Sequence, residues 1–178
     1  MVPEFKHVCP DNLEKVRAAI TDKTAAILVE PIRGEGGVRI PPDGFLQGLR
    51  EICDEKNVLL IFDEVQTGFG RTGKLFACEH WGVIPDVMCL AKPVAGGLPI
   101  GVTIAKENIM SSLKVGDHST TFSGSPLVCA AACAAIDVLL EEKLTERAAA
   151  LGTYFKGQLE KLQTKYKIIR EVRGIGLM

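Results

Sequence analysis

The sequence lacks the features that mark membrane, secreted and nucleic-acid-binding proteins. It contains no run of about 18 apolar residues and no charged-then-apolar signal pattern at its N-terminus. Its charge is nearly balanced, with 21 Lys plus Arg against 22 Asp plus Glu, so nothing favours broad attraction to nucleic acid or to an anionic membrane. We therefore expect a soluble, cytoplasmic protein with small-molecule or protein partners; a removed targeting segment would instead allow a mitochondrial location.

Spacings typical of metal sites and of disulfide frameworks are also missing. The six cysteines contain no C-x-x-C pair and lie mostly among apolar neighbours, as reduced buried cysteines do. The three histidines, His7, His80 and His118, are scattered along the chain without the spacing of metal ligands. We expect neither disulfides nor a metal ion.

The sequence does contain enough apolar residues for one sizeable core, since 47% of its 178 residues are hydrophobic. VLLIFDE at 58–64 is a continuous apolar run closed by two acids, which is typical of a parallel strand covered on both faces. DVMCLAK at 86–92 repeats the pattern, and shorter strands are predicted at 25–30 and 101–105.

Helical periodicity separates these strands. Helices are predicted at 11–20, 45–56, 126–142 and 144–164, whereas the glycines and prolines of 34–44 exclude regular structure there. The alternation predicts an α/β fold with a mostly parallel sheet flanked by helices. The final residues, IIREVRGIGLM, are typical of a strand that leads into a further element, so we expect the chain to be a fragment.

Asp63 is the first candidate for chemistry, because it ends a predicted buried strand. An isolated carboxylate buried there costs several kcal/mol unless a cation meets it. Ligands in open α/β sheets bind outside the carboxyl ends of the strands, so the protonated ring nitrogen of a cofactor is one possible partner. A cap or a salt bridge to a lysine explains the residue equally well.

Lys92 is the second candidate, since it ends its own apolar run directly before Pro93, which disfavours helical geometry. A lysine amine in a poorly hydrated site is partly uncharged and can attack an aldehyde to make an imine. Taken alone, however, a lysine after a strand is more often a solvated charge. The glycines at 96 and 97 would let backbone approach a flat ligand, or simply form a turn.

The two candidates lie in segments that together resemble one family. DEVQTGFGRTG at 63–73 and LAKPVAGGLPIG at 90–101 resemble the paired signatures of class III aminotransferases, which are pyridoxal-phosphate-dependent transferases of fold type I. The 29-residue separation of Asp63 from Lys92 is also similar to that family. The resemblance implies an enzyme whose cofactor is pyridoxal 5'-phosphate.

Three further segments extend the resemblance over nearly the whole chain. They are VEPIRGEGG at 29–37, STTFSGSPLVCAAA at 119–132 and VRGIGLM at 172–178. The second is most similar to acetylornithine aminotransferases, with ornithine and 4-aminobutyrate aminotransferases as alternatives. The resemblance assigns residues 1–165 to the cofactor-binding large domain and 166–178 to the start of a truncated C-terminal small domain.

The resemblance also implies roles for single residues near the cofactor. Lys92 would bond to the cofactor and later move a proton, while Asp63 would keep the pyridine nitrogen protonated. Gln66 matches the position that hydrogen-bonds the phenolic oxygen, and Val65 the apolar residue under the ring. An exposed turn for Gln66 and plain core packing for Val65 are the alternatives.

Two more residues match positions farther from the ring. Thr121 resembles the threonine whose hydroxyl reaches the cofactor phosphate across the interface of a homodimer, although Ser119 or Thr120 could be that residue and Thr121 could be only a turn or cap. Glu30 matches a glutamate of the substrate pocket, or it merely ends a strand. Arg33 stands where many relatives carry an uncharged residue, which suggests a changed substrate preference.

The function implied is transfer of an amino group from N-acetylornithine or a related ω-amino donor to 2-oxoglutarate, as in arginine biosynthesis. Ornithine and 4-aminobutyrate are alternative donors, and racemisation or aminomutase chemistry would use the same lysine and aspartate. A non-enzymatic fragment is the alternative from another class, because the 178 residues alone would hold half a site and turn over little. Arg173 is interpreted as structural rather than as a ligand of a substrate carboxylate.

Overall fold

Four strands form one sheet in this protein, which the computed structural model describes over residues 4–178. The strands are β1 (Ala26–Val29), β2 (Leu59–Asp63), β3 (Val87–Leu90) and β4 (Val102–Ala105), and their order in the sheet follows the chain. The first three are parallel, and β4 runs antiparallel to β3. The prediction of a mostly parallel sheet is therefore confirmed.

Five α-helices and two 3-10 helices accompany the sheet in the described part of the chain. The α-helices are α1 (Leu13–Ala19), α2 (Phe45–Lys56), α3 (Glu107–Met110), α4 (Pro126–Glu141) and α5 (Leu144–Lys165). The 3-10 helices cover Ala77–His80 and Lys92–Ala95. The four helices predicted from periodicity are all present within two residues of the expected bounds, and the α/β class is confirmed.

The core forms where α2 packs on β2. Leu60 and Phe62 of the strand are fully buried, and Leu46 and Leu49 on one side of α2 are almost fully buried. This follows from the sequence, because the strand is apolar on both faces while the helix is apolar along a single stripe. α2 ends at Lys56, and the left-handed backbone of the next residue, Asn57, with φ of 52°, closes the helix.

The strand predicted at the C-terminus is wrong. Residues 166–178 form turns and irregular backbone instead. The Nε of Arg173 donates to the carbonyl oxygen of Gly37 at 2.7 Å, and the Leu177 N–H donates to the carbonyl oxygen of Arg71 at 3.0 Å. The segment is thus hydrogen-bonded to two different loops and not to a neighbouring strand. Gly176, with a φ of +60°, also departs from the extended backbone of a strand. Arg173 thus has the structural contact that the sequence interpretation favoured.

The same segment lies close against α5. A Cβ atom added at Gly152 of that helix would stand 2.0 Å from the carbonyl oxygen of Gly176, whereas one added at Gly157 would meet nothing within 4 Å. The helix and the C-terminal segment can approach this closely only because residue 152 has no side chain.

The outer strands of the sheet leave apolar side chains exposed. Leu28 on β1 is 57% exposed and Ile104 on β4 is 49% exposed. Within residues 4–178, no helix is both long and apolar enough to cross a bilayer.

Candidate active site

Three polar residues lie at or just beyond the carboxyl ends of three neighbouring parallel strands. The register pairs Val29 with Phe62, so Glu30 and Asp63 each lie one residue beyond that pair. Asp63 in turn pairs with Cys89, and Lys92 comes three residues later in the chain. Glu30, Asp63 and Lys92 therefore share one rim of the sheet, the rim at which open α/β sheets bind ligands.

Lys92 begins a 3-10 helix rather than extending β3, which ends at Leu90, two residues earlier than predicted. Its φ of 53° is left-handed, in agreement with the expectation that Pro93 disfavours ordinary helical geometry. The next turn is anchored, because Val94 and Ala95 are 2% and 3% exposed and the 3-10 helix packs against α4. Lys92 itself is exposed.

An open concavity of about 650 Å³ lies beside Lys92. It is lined by Ala91, Lys92 and the segment 97–101, which contributes two glycines, a leucine, a proline and an isoleucine. Its walls are mainly apolar and backbone, with the lysine amine as the only ionisable group among the lining residues. Such a wall suits a flat aromatic ring better than a highly charged ligand.

Asp63 is half-buried at the end of β2. Its Oδ1 accepts a hydrogen bond from the Val65 N–H at 3.0 Å, which fixes the carboxylate at the start of the following turn. Within residues 4–178 its Oδ2 accepts no hydrogen bond, so this oxygen is free to meet a donor outside the protein. A protonated pyridine nitrogen is a donor of that kind.

Gln66 and Glu30 meet at Gly34. A Cβ atom at Gly34 would lie 1.5 Å from the Oε1 of Gln66, so the glutamine side chain occupies the space that any other residue would fill. The Gly34 N–H donates to the Oε2 of Glu30 at 3.0 Å. Gln66 and Glu30 are thus brought together at the rim, while Val65 between Asp63 and Gln66 is half-buried.

Thr121 lies away from this group of contacts. It is exposed in the irregular segment between α3 and α4, as are Ser119 and Thr120. Across residues 4–178, no hydrogen bond joins it to Glu30, Asp63 or Lys92. Its role at a cofactor phosphate stays a prediction.

Arg33 is engaged near the same loop. Its Nη2 lies 2.6 Å from the Oδ2 of Asp11, and the two side chains are 29% and 28% exposed. An ion pair this sheltered holds the guanidinium near Asp11. In the described chain, Arg33 therefore has a protein partner for its charge.

Glu64 is the feature that sequence reasoning noticed only as the second acid of a strand end. The side chain is buried, with 1% of the residue exposed. Its carboxylate accepts hydrogen bonds from the Thr67 hydroxyl at 2.9 Å, the Ala77 N–H at 2.7 Å and the Cys78 N–H at 2.8 Å. Two of these donors follow Glu64 by 13 and 14 residues, and periodicity carries no signal for such contacts.

Asp86 forms a second polar cluster at the opposite end of β3. Its carboxylate accepts from the Leu60 N–H, from Arg50 Nη1 and from Lys106 Nζ, at 2.8, 2.8 and 2.6 Å. Burial raises the pKa of Asp86, but the hydrogen bond from Leu60 and the two cations outweigh burial and lower the pKa to about 2. The cluster lies at the wrong end of the strand for the rim, so it is structural.

Two thiols are buried and chemically quiet. Burial raises the pKa of Cys53 to about 11, and burial with the nearby charge of Glu64 raises the pKa of Cys78 to about 12. In the part of the chain that the structure describes, no three His, Cys, Asp or Glu side chains cluster in a way that could hold a metal ion.

The rim group fits pyridoxal phosphate in its chemistry. It offers a carboxylate oxygen for the ring nitrogen, an amine for the aldehyde, and the amide of Gln66, which lies against Gly34, for the phenolic oxygen. A profile of one enzyme family, the class-III aminotransferases, matches residues 3–178. The chain belongs to the class-III aminotransferases. Members of this family depend on pyridoxal phosphate, so the family and cofactor predictions are confirmed.

Individual class-III aminotransferases support the assignment. The chain is 51% identical to an acetylornithine aminotransferase from Methanocaldococcus jannaschii, covering 99% of this chain and 44% of that protein. It is 47% identical to a putrescine aminotransferase from Pectobacterium atrosepticum, over all of this chain and 40% of that protein. An ornithine aminotransferase structure from Toxoplasma gondii matches with a TM-score of 0.95 at 44% identity, covering 99% of this chain and 42% of that one.

These comparisons confirm a class-III aminotransferase fold and an aminotransferase activity for the family. The chain spans less than half the length of the relatives that it matches. The relatives differ in the amino donor that they are named for, so the donor is not decided by membership of the family.

Proposed function

We propose that the protein carrying this chain transfers an amino group from N-acetylornithine, or a related ω-amino donor, to 2-oxoglutarate. The observation that carries the proposal is the placement of Asp63 and Lys92 at one rim of two adjacent parallel strands. The relative from Methanocaldococcus jannaschii, named as an acetylornithine aminotransferase, supports the donor. Ornithine and 4-aminobutyrate are the alternative donors.

Lys92, Asp63 and Gln66 have distinct tasks in the proposed reaction. Bound pyridoxal phosphate supplies an aldehyde that condenses with an amine, and a ring that accepts an electron pair. Lys92 would hold the cofactor through its amine and, once the substrate amine has displaced it, would carry a proton between the substrate carbon and the cofactor. Asp63 keeps a proton on the ring nitrogen through its free Oδ2. Gln66 donates its amide N–H to the phenolic oxygen.

Several parts of the proposal concern the whole protein. Val65 packs under the ring, and Glu30 lies in the substrate pocket. Thr121 donates its hydroxyl to the cofactor phosphate bound by the partner subunit of a homodimer, which its exposed position allows.

Residues 1–165 belong to the large domain and 166–178 begin the small one. The protein acts in the cytoplasm, or in mitochondria if a targeting segment precedes the chain, in arginine biosynthesis.

The donor is tested by comparing half-reactions in the full-length protein. Pyridoxal-phosphate-loaded enzyme is mixed with N-acetylornithine, ornithine, putrescine or 4-aminobutyrate, and the loss of the imine absorption band is followed, with Lys92→Ala as the inactive control. The proposal predicts the largest kcat/KM for N-acetylornithine. A larger value for 4-aminobutyrate or putrescine would assign a different donor.

A second candidate is that the 178 residues alone are a non-enzymatic fragment without turnover. The exposed Leu28 and Ile104 on the outer strands favour it, since such side chains are usually covered in a working enzyme. Measuring amino transfer by the isolated chain decides the point, because measurable turnover would exclude this candidate.

A further inference from the structure

Glu64 combines two properties that rarely occur together. Its carboxylate is buried, and within residues 4–178 no lysine or arginine forms an ion pair with it. The negative charge is balanced instead by the three hydrogen bonds from Thr67, Ala77 and Cys78. A buried charge without a cation partner is costly even when hydrogen-bonded, so the arrangement calls for an explanation beyond ordinary packing.

The backbone of Glu64 joins the strands that carry the rim residues. Its N–H donates to the carbonyl oxygen of Cys89 at 2.9 Å, on the strand that leads to Lys92. Its carbonyl oxygen accepts from the Gly68 N–H at 2.9 Å, which closes the turn containing Val65 and Gln66. This turn, residues 63–68, is thus fixed to β3 at its start.

The side chain of Glu64 fixes the same turn on its other side. Thr67, itself 1% exposed, binds the carboxylate from within the turn, while Ala77 and Cys78 bind it from the first turn of the 3-10 helix Ala77–His80. The Glu64 carboxylate therefore connects the two ends of the loop 64–78. Val65 and Gln66 lie between Glu64 and Thr67, so their positions depend on the hydrogen bond between these two residues.

We propose that Glu64 is a positioning residue, whose buried carboxylate clamps the 63–68 turn so that Asp63 and Gln66 are held in the geometry that binds the cofactor. The inference rests on the proposed function. The residue must be a carboxylate, because the Ala77 and Cys78 N–H groups can only donate and they face its two different oxygens. The amide of a glutamine offers one oxygen and turns an NH2 group toward at least one of those donors.

The test measures pyridoxal phosphate binding by the full-length protein. Glu64→Gln and Thr67→Val are compared with Glu79→Gln, the matched control. Glu79 accepts the Phe76 N–H at 2.7 Å on the same 3-10 helix, but it is exposed and, within residues 4–178, forms no hydrogen bond with the turn. The readouts are the dissociation constant of the cofactor, from the imine absorption band, and the thermal midpoint of the cofactor-free protein.

We expect Glu64→Gln to weaken cofactor binding about tenfold or more, the scale on which outer-shell partners act in metal sites. Thr67→Val, which removes one of the three hydrogen bonds, should weaken it about threefold to tenfold. Glu79→Gln should bind as the unmodified protein does. The measurements are made well below each thermal midpoint, so that a loss of stability alone leaves the dissociation constant unchanged.

A folded Glu64→Gln variant with an unchanged dissociation constant would overturn the positioning role and leave the proposed function intact. If Glu64→Gln fails to fold, Thr67→Val decides, and unchanged binding in that variant overturns the role equally. If the unmodified protein itself forms no imine with pyridoxal phosphate, the proposed function fails and the role of Glu64 falls with it.

Discussion

Replacing Asp86 with Asn should produce a loss of stability whose size follows the pH. The carboxylate of Asp86 is 9% exposed and faces Leu60, Arg50 and Lys106. Its pKa falls from the ordinary value of 3.8 to about 2 in the folded protein. The asparagine keeps one oxygen for the Leu60 N–H but loses the charge that the two cations face.

The magnitude follows from the pKa. A shift of nearly two units corresponds to about 2–3 kcal/mol of stability, at about 1.4 kcal/mol for each unit. Because the folded-state pKa is depressed, this contribution is fully present above pH 4 or so and is lost as the pH falls toward about 2. Asp86→Asn should therefore lower the free energy of unfolding by about 2–3 kcal/mol at neutral pH and by much less at about pH 2.

Urea unfolding of the 178-residue chain at several pH values measures this difference. Trp81, the only tryptophan, is a suitable fluorescence probe because its carbonyl oxygen accepts from Gln47 of α2 at 2.9 Å. Asp54→Asn is the matched control, since Asp54 also pairs with Arg50 at 2.7 Å but is 67% exposed. The control should change stability by less than about 0.5 kcal/mol. If the loss of stability in Asp86→Asn does not diminish at low pH, the stabilising role of the charged Asp86 carboxylate is contradicted.

Two glycine pairs provide the remaining predictions. Gly34→Ala should displace Gln66 and weaken pyridoxal phosphate binding by the full-length protein. Gly36→Ala should leave binding unchanged, because its Cβ meets nothing nearer than 3.8 Å. Equal binding by both variants would contradict the contact between Gly34 and Gln66. Gly152→Ala should destabilise the chain by about 1–3 kcal/mol, because its Cβ overlaps a carbonyl oxygen. Gly157→Ala, in open space on the same helix, should stabilise it by about 0.5–1 kcal/mol. The thermal unfolding midpoints of Gly152→Ala and Gly157→Ala measure this difference. A stabilising Gly152→Ala would contradict the close approach of α5 to Gly176.

Much of the fold could be predicted because its signals are local. The apolar run ending at Asp63 specified a buried parallel strand, and the apolar stripe of 45–56 gave α2 its observed bounds. Parallel neighbouring strands then bring their carboxyl ends to one rim, so the joint placement of Asp63 and Lys92 followed from the strands alone.

The features that the sequence did not predict depend on contacts between distant parts of the chain. The donors to Glu64 lie in a 3-10 helix formed by a later loop, and the hydrogen bonds of Arg173 and Leu177 go to loops far earlier in the sequence. The apolar pattern of the last residues favoured a strand, but no strand partner accepts them in the described chain. Tertiary contacts decided their conformation instead.

The most direct test of the role of Lys92 is to identify the lysine that bonds to pyridoxal phosphate. The full-length protein is incubated with the cofactor, the imine is reduced with borohydride, and the modified peptide is found by mass spectrometry. Lys74→Ala serves as the control, because Lys74 is an exposed lysine in the loop that follows Gln66. We expect the modification to lie on Lys92, to persist in Lys74→Ala and to disappear in Lys92→Ala. Stoichiometric modification that survives in Lys92→Ala would contradict this role of Lys92.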